Sequence, residues 1–99
     1  MKILWTREAL HRLTEIEEFI AKNNAERAVK FIDEIIAHAE SLLPDEPRIG
    51  RMAPELSNPA LRELLFKKYR IVYRVNKNNV EILTVFEGHR SLRVDEIGP

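Results

Sequence analysis

The sequence predicts an α+β domain: an N-terminal strand, an antiparallel two-helix hairpin, then a three-stranded antiparallel meander, with the helices on one face of the sheet. Three observations predict it. Tyr69-Arg70-Ile71-Val72-Tyr73-Arg74-Val75 alternates with period two and is rich in aromatic and β-branched residues, as a half-buried strand is. Two earlier stretches repeat their apolar residues at helical spacing and are separated by Asn23-Asn24 alone. Turn chemistry on both sides of Tyr69–Val75 makes it the middle strand of a meander.

Taken in order, Ile3-Leu4-Trp5 reads as a short first strand and Thr6 as the N-cap of a helix running to about Lys22. Glu8 favours the positive end of that helix, and Trp5 and Leu10 have the spacing of a hydrophobic staple. Ala9, Leu13, Ile16 and Ile20 form its apolar face, with Phe19 beside it. Asn24 caps a second helix over Ala25–Leu42, whose face is Ala28, Ile32, Ile35, Ile36 and Ala39, widened by Val29 and Leu42. A two-residue joint between amphipathic helices makes them an antiparallel pair.

Pro44 ends the second helix. The stretch from there to Ala60 holds four of the five prolines and reads as a long connection with Ile49-Gly50-Arg51 in its middle. Connections beyond about 12–15 residues are unusual in a compact domain unless functional or locally structured. Leu61–Phe66 is the next strand. Lys67-Lys68 is its turn, though it lacks the glycine or asparagine that best suits one. Asn76–Asn79 is a strong turn, and Val80–Phe86 is the last strand, with Val80, Ile82, Thr84 and Phe86 opposing Glu81, Leu83 and Val85. Ser91–Ile97 reads as a short helix or an extended tail.

With 99 residues the chain has room for one core, so residues 1–99 are expected to form a single domain. Hydrophobic residues at 44% and charged residues at 32% are a globular balance and exclude a disordered chain. The absence of cysteine excludes a disulfide framework and thiolate metal sites. Charges follow the short apolar N-terminus at once, and no apolar run approaches the roughly 18 residues of a membrane span, so a cytoplasmic protein is expected. His11 and His38 stand on helices with no second ligand at metal spacing, the three glycines are far apart, and neither a metal nor a cofactor is expected.

Sixteen Lys and Arg balance sixteen Asp and Glu, which argues against a dedicated nucleic-acid binder. The distribution is uneven. Between positions 61 and 77, Arg62, Lys67, Lys68, Arg70, Arg74 and Lys77 face one acid, Glu63. Alternation puts Arg70 and Arg74 opposite the core side, on a face expected to stay open. Folding does not require such a face, and a local basic patch suits either phosphate or an acidic partner.

Taken together, Trp5-Thr6…Ala9…Leu13, Ala28…Phe31-Ile32, Gly50-Arg51, Arg62-Glu63-Leu64, Tyr69–Val75, and Val80-Glu81-Ile82-Leu83-Thr84-Val85 leading to His89-Arg90 resemble the RelE/ParE superfamily of toxins from type II toxin–antitoxin modules. The resemblance covers nearly the whole chain. It implies a small sheet with two helices packed on it and a cognate antitoxin that silences the toxin, with operator DNA reached only through that antitoxin. ParE-like members act in plasmid stabilisation and inhibit DNA gyrase; RelE-like members cut messenger RNA on the ribosome. The Trp5-Thr6 opening, the Gly50-Arg51 turn and the two last strands look closer to the ParE-like branch. The expected partner-binding residues are Arg62, Arg70, Arg74 and Arg90. The alternative, an mRNA endonuclease, assigns Glu55 as base, His89 as acid and Arg62, Arg70, Arg74 or Arg90 as the clamp for the phosphorane charge. A second alternative is a degenerate, non-toxic member.

Overall fold

The computed structural model describes residues 1–53, 55 and 57–88. Its elements are β1 (Lys2–Trp5), α1 (Arg7–Ala21), α2 (Ala25–Leu42), β2 (Arg51–Met52), β3 (Leu61–Phe66), β4 (Tyr69–Val75) and β5 (Asn79–Glu87). Both helix starts are capped as their sequence dictates. The Thr6 hydroxyl accepts from Ala9 N–H at 3.2 Å, and Asn24 Oδ1 accepts from Arg27 N–H at 3.0 Å. Thr6 Oγ1 also donates to the Ile82 carbonyl at 2.7 Å, so the cap ties α1 to the sheet.

The strands form one sheet in the order β1-β5-β4-β3-β2. β3, β4 and β5 are the expected antiparallel meander. Two features go beyond the sequence reading. β1 lies parallel to β5, pairing Ile3 with Val80 and Trp5 with Ile82, because the helical hairpin returns the chain to the same end of the sheet. The proline-rich connection contributes a fifth strand: Arg51 pairs with Glu63 and Met52 with Arg62, so the long loop is locally structured.

The main core lies between the sheet and the hairpin. Ala9, Leu13, Phe31, Ile35 and Ala39 meet Leu64, Ile71, Tyr73, Val80 and Ile82, with Ile16, Ile20, Ile32 and Ile36 half-buried around them. Val29 and Phe19 do not join; they are exposed, Phe19 by 60%. Leu10 is half exposed, and the Trp5 indole N–H turns to Glu40 of α2 at 3.1 Å. His38 is half-buried, its ring 5.0 Å from that of Phe66.

β5 departs from strict alternation. The β4–β5 ladder pairs Val72 with Thr84 and Tyr73 with Ile82, so Leu83 is the extra residue of a bulge. The bulge reverses the parity beyond it. Val85 therefore joins Val80 and Ile82 in the main core, and Phe86 packs with Val72 and Ala53 in a second apolar cluster. The Lys67-Lys68 turn is made at φ 52° by Lys67. Its ammonium lies 5.6 Å from the ring centres of Phe31 and Phe66, contacts that help to hold the left-handed backbone.

Candidate functional site

The expected open cationic face is the first correction. Arg70 is only 4% exposed. Its Nε donates to Glu63 Oε2 at 3.0 Å and its Nη2 to Glu63 Oε1 at 2.7 Å. The same guanidinium holds Glu55 across both oxygens, at 2.9 and 2.8 Å. Its Cζ lies 5.0 Å from the centre of the Phe86 ring. Glu63, at 1% exposure, also takes Arg51 Nη2 at 3.2 Å. The paired carboxylates, Glu55 first, push the Arg70 pKa further above its ordinary value, against the opposing effect of burial. Among the described residues, this lattice joins the guanidinium groups of Arg51 and Arg70 with the carboxylates of Glu55 and Glu63, supplied by β2, β3, β4 and the loop after β2. It neutralises itself, and Val72, Phe86 and Ala53 pack beside it.

Arg74 is half-buried and faces Glu81, its register partner, at 3.9 Å. Arg62 does not share that face. It pairs in register with Tyr73, on the helix side, and its Nη1 donates to the carbonyls of Gly50 at 2.9 Å and Arg48 at 3.4 Å. Arg62 Nε and Thr84 Oγ1 are buried with no hydrogen-bond partner among the described residues. His89 and Arg90, expected as acid and clamp or as partner contacts, lie outside the described residues.

A second contact organises the same end of the sheet. Gly50 N–H donates to the Tyr73 hydroxyl at 2.9 Å. A Cβ on Gly50 would stand 2.5 Å from both that hydroxyl and the Glu63 carbonyl oxygen, so no side chain fits there. Burial raises the Tyr73 pKa; the Gly50 bond and the nearby Arg62 and Arg48 oppose it.

The sequence reading named Glu55 and Arg70, which the structure joins, and Arg62, which it places on the other face of the sheet. Glu63 is the residue it passed over, and its signal was present: one acid among six bases. As assembled, the lattice is poor chemistry for phosphoryl transfer. A general base needs a lone pair unencumbered by a guanidinium, and an electrostatic clamp needs a cation that is not already paired.

The open surface lies elsewhere, at the end of the hairpin. Ile16 and Phe19 of α1 with Tyr69, Val85 and Phe86 line a groove of about 570 Å³. It meets a second concavity of about 390 Å³, lined by Phe19, Ile20, Arg27, Phe31, Lys68 and Tyr69. Phe19 stands between the two.

Residues 3–92 match the model of the ParE toxin of the type II toxin–antitoxin system parDE. The chain belongs to the ParE toxin family. A relative from Sinorhizobium fredii, "Putative toxin Y4kP", is 36% identical over 91 residues and 90% of each chain. Among solved structures, this ParE-family chain is similar to a chain of the chromosomal ParDE system of P. aeruginosa, with TM-score 0.73 and 23% identity over 88% of this chain and 95% of that one. It is also similar to a chain of the RelBE2 toxin–antitoxin complex of Mycobacterium tuberculosis, with TM-score 0.63 and 20% identity over 87% and 95%. These two likenesses show the ParE/RelE fold. No helix among the described residues of this ParE-family chain is long and apolar enough to cross a membrane.

Proposed function

We propose that this ParE-family toxin arrests growth by binding DNA gyrase, without hydrolytic chemistry of its own, and that a cognate antitoxin silences it. The observation that carries the choice is the Arg70–Glu55 pair. In the endonuclease reading Glu55 is the base and Arg70 part of the clamp. Here each occupies the other, with both Glu55 oxygens on the Arg70 guanidinium. Arg62, the third member of that reading, stands on the opposite face of the sheet. The match to the ParE toxin model over residues 3–92 supports the same branch.

The test uses two assays on the purified toxin: supercoiling by gyrase, and cleavage of message on programmed ribosomes. The expected result is inhibited supercoiling with intact message, retained in Glu55→Gln. Cleaved message, lost in Glu55→Gln, together with unaffected gyrase would replace this reading by the endonuclease one.

A further inference from the structure

We propose that the concavity between the α1–α2 joint and the Lys67-Lys68 turn is a binding site for a nucleoside triphosphate. Nothing in this site depends on which target the toxin arrests. Lys67 takes φ 52°, a left-handed backbone that glycine or asparagine adopts far more readily. A lysine kept there holds its charge at a local conformational cost, and backbone of that kind gathers at ligand sites. Its ammonium stands 5.6 Å from the ring centres of Phe31 and Phe66, so the turn aims a cation at an aromatic cluster.

The hollow has the size and the lining for one nucleotide. Its volume is about 390 Å³, at the lower end of the range for small-molecule sites. Phe31 and Tyr69 line it and are nearly buried, with ring centres 5.5 Å apart and planes tilted by 56°. Phe19 lines it too and is 60% exposed. An exposed ring beside a hollow is a stacking surface for a planar base, and stacking accepts any base because each has a π-face.

The charge around these rings calls for phosphates. Arg27, in the first turn of α2, lines the hollow together with Lys67 and Lys68, and the Lys22 ammonium at the end of α1 lies 5.9 Å from the Phe19 ring centre. Among the described residues the ion pairs of these cations are long and exposed: Lys67 to Glu34 at 4.0 Å and Lys68 to Glu87 at 3.9 Å. Exposed single pairs of that length are weak. A polyvalent anion engages several of these cations at once, through oxygens that each accept charge-assisted hydrogen bonds. Rings and cations side by side therefore select a ligand with a flat aromatic part and adjoining phosphates. Sixteen Lys and Arg are balanced by sixteen Asp and Glu, and the hollow holds one nucleotide's volume, so a free nucleotide is favoured over a nucleic-acid strand.

Calorimetric titration of the purified full-length toxin at low salt tests this, with ATP and GTP, adenosine and guanosine, inorganic tripolyphosphate, and a single-stranded oligonucleotide as probes. At least one triphosphate should bind about 10-fold or more tightly than its nucleoside and than tripolyphosphate, and should weaken as salt rises. Lys67→Asn/Lys68→Gln removes two charges while asparagine suits the left-handed turn, and should weaken that binding by about 10-fold or more. Phe19→Ser should weaken it likewise and leave tripolyphosphate binding unchanged. Lys77→Gln, at an exposed lysine of the other turn, should change nothing. All these positions are exposed, so the variants should keep the wild-type circular dichroism. Absence of triphosphate binding, triphosphate binding equal to that of tripolyphosphate, or binding indifferent to both site variants overturns the inference. Tighter binding of the oligonucleotide than of either nucleotide overturns it too, by making the hollow part of a nucleic-acid surface.

Discussion

Arg70 of β4 and Glu63 of β3 lie diagonally across the antiparallel ladder, both almost fully buried and joined at 2.7 and 3.0 Å. The register places Glu63 opposite Val72 and Arg70 opposite Leu65, so the two reach along the same face toward each other. Each alone would be a charge stranded in a dry place. Together, with Glu55 and Arg51, they form a unit that stabilises β2 and its following loop against the sheet.

Removing both members should therefore cost less than the sum of removing each alone. Arg70→Met leaves Glu63 buried and underpaired and should destabilise by about 3–5 kcal/mol. The double variant Glu63→Leu/Arg70→Met should lose less than the sum of the singles, since no buried charge remains uncompensated between them. Arg70→Lys should not rescue, because an ammonium cannot hold two carboxylates side by side. Urea denaturation of the wild type, the two singles, the double and Arg70→Lys measures this; additive singles and double would show that the pair is not coupled.

Gly50 and Tyr73 make a complementary prediction. Gly50→Ala drives a methyl into the Tyr73 hydroxyl and the Glu63 carbonyl and should cost about 1–3 kcal/mol, the range for overpacking. Tyr73→Phe removes the acceptor for Gly50 N–H and should cost about 1–3 kcal/mol as an unmet buried donor. In Tyr73→Phe the added methyl of Gly50→Ala has more room, so the two changes should be less than additive in the thermal midpoint.

The two tyrosines also predict the alkaline limit. Burial, reinforced at Tyr69 by Glu87, raises both above the ordinary 10.0. A raised phenol means that the fold favours the neutral form. That contribution is complete below pH 10 and is lost as pH climbs through the folded-state values. Tyrosinate absorbance should therefore rise above pH 10, together with the loss of circular dichroism. Independent titration of both phenols near 10 with the fold intact would contradict their burial.

Thr6 is a single side chain with two duties. Thr6→Ala removes the cap on α1 and should cost about 0.5–2 kcal/mol. It also removes the bond to the Ile82 carbonyl, so hydrogen exchange should rise at the start of α1 and along the β1–β5 edge together. Exchange confined to α1 would show that the link to β5 carries no weight.

Much of this architecture is legible in the residues in order. Ala9 and Leu13, or Ile35 and Ala39, repeat at the helical period because one stripe of each helix must be buried. Tyr69, Ile71 and Tyr73 alternate because one face of β4 meets those stripes. Local rules also placed both caps and the start and end of β3 and β4. They failed where a distant partner decides. Alternation alone assigns Phe86 to the side of Val80, but the Leu83 bulge, set by pairing with β4, moves it to the other face. The same logic made Arg70 look exposed. Its parity is as read; its environment is not, because a loop fifteen residues upstream brings Glu55 over it.

The sequence by itself determined both helices, the strands β1, β3, β4 and β5 in their order, the inner face of β4 and, through its pattern of motifs, the ParE/RelE kinship. Those properties depend on spacing within one segment, and a chain carries that information locally. Only the tertiary structure decided which charges are spent and which are available. Arg70, Glu63, Glu55 and Arg51 come from separate segments; the fold buries Arg70 and Glu63 and pairs them with Glu55 and Arg51, which stay at the surface. Phe19 went the other way, from the margin of a predicted core face to an exposed position beside an open groove.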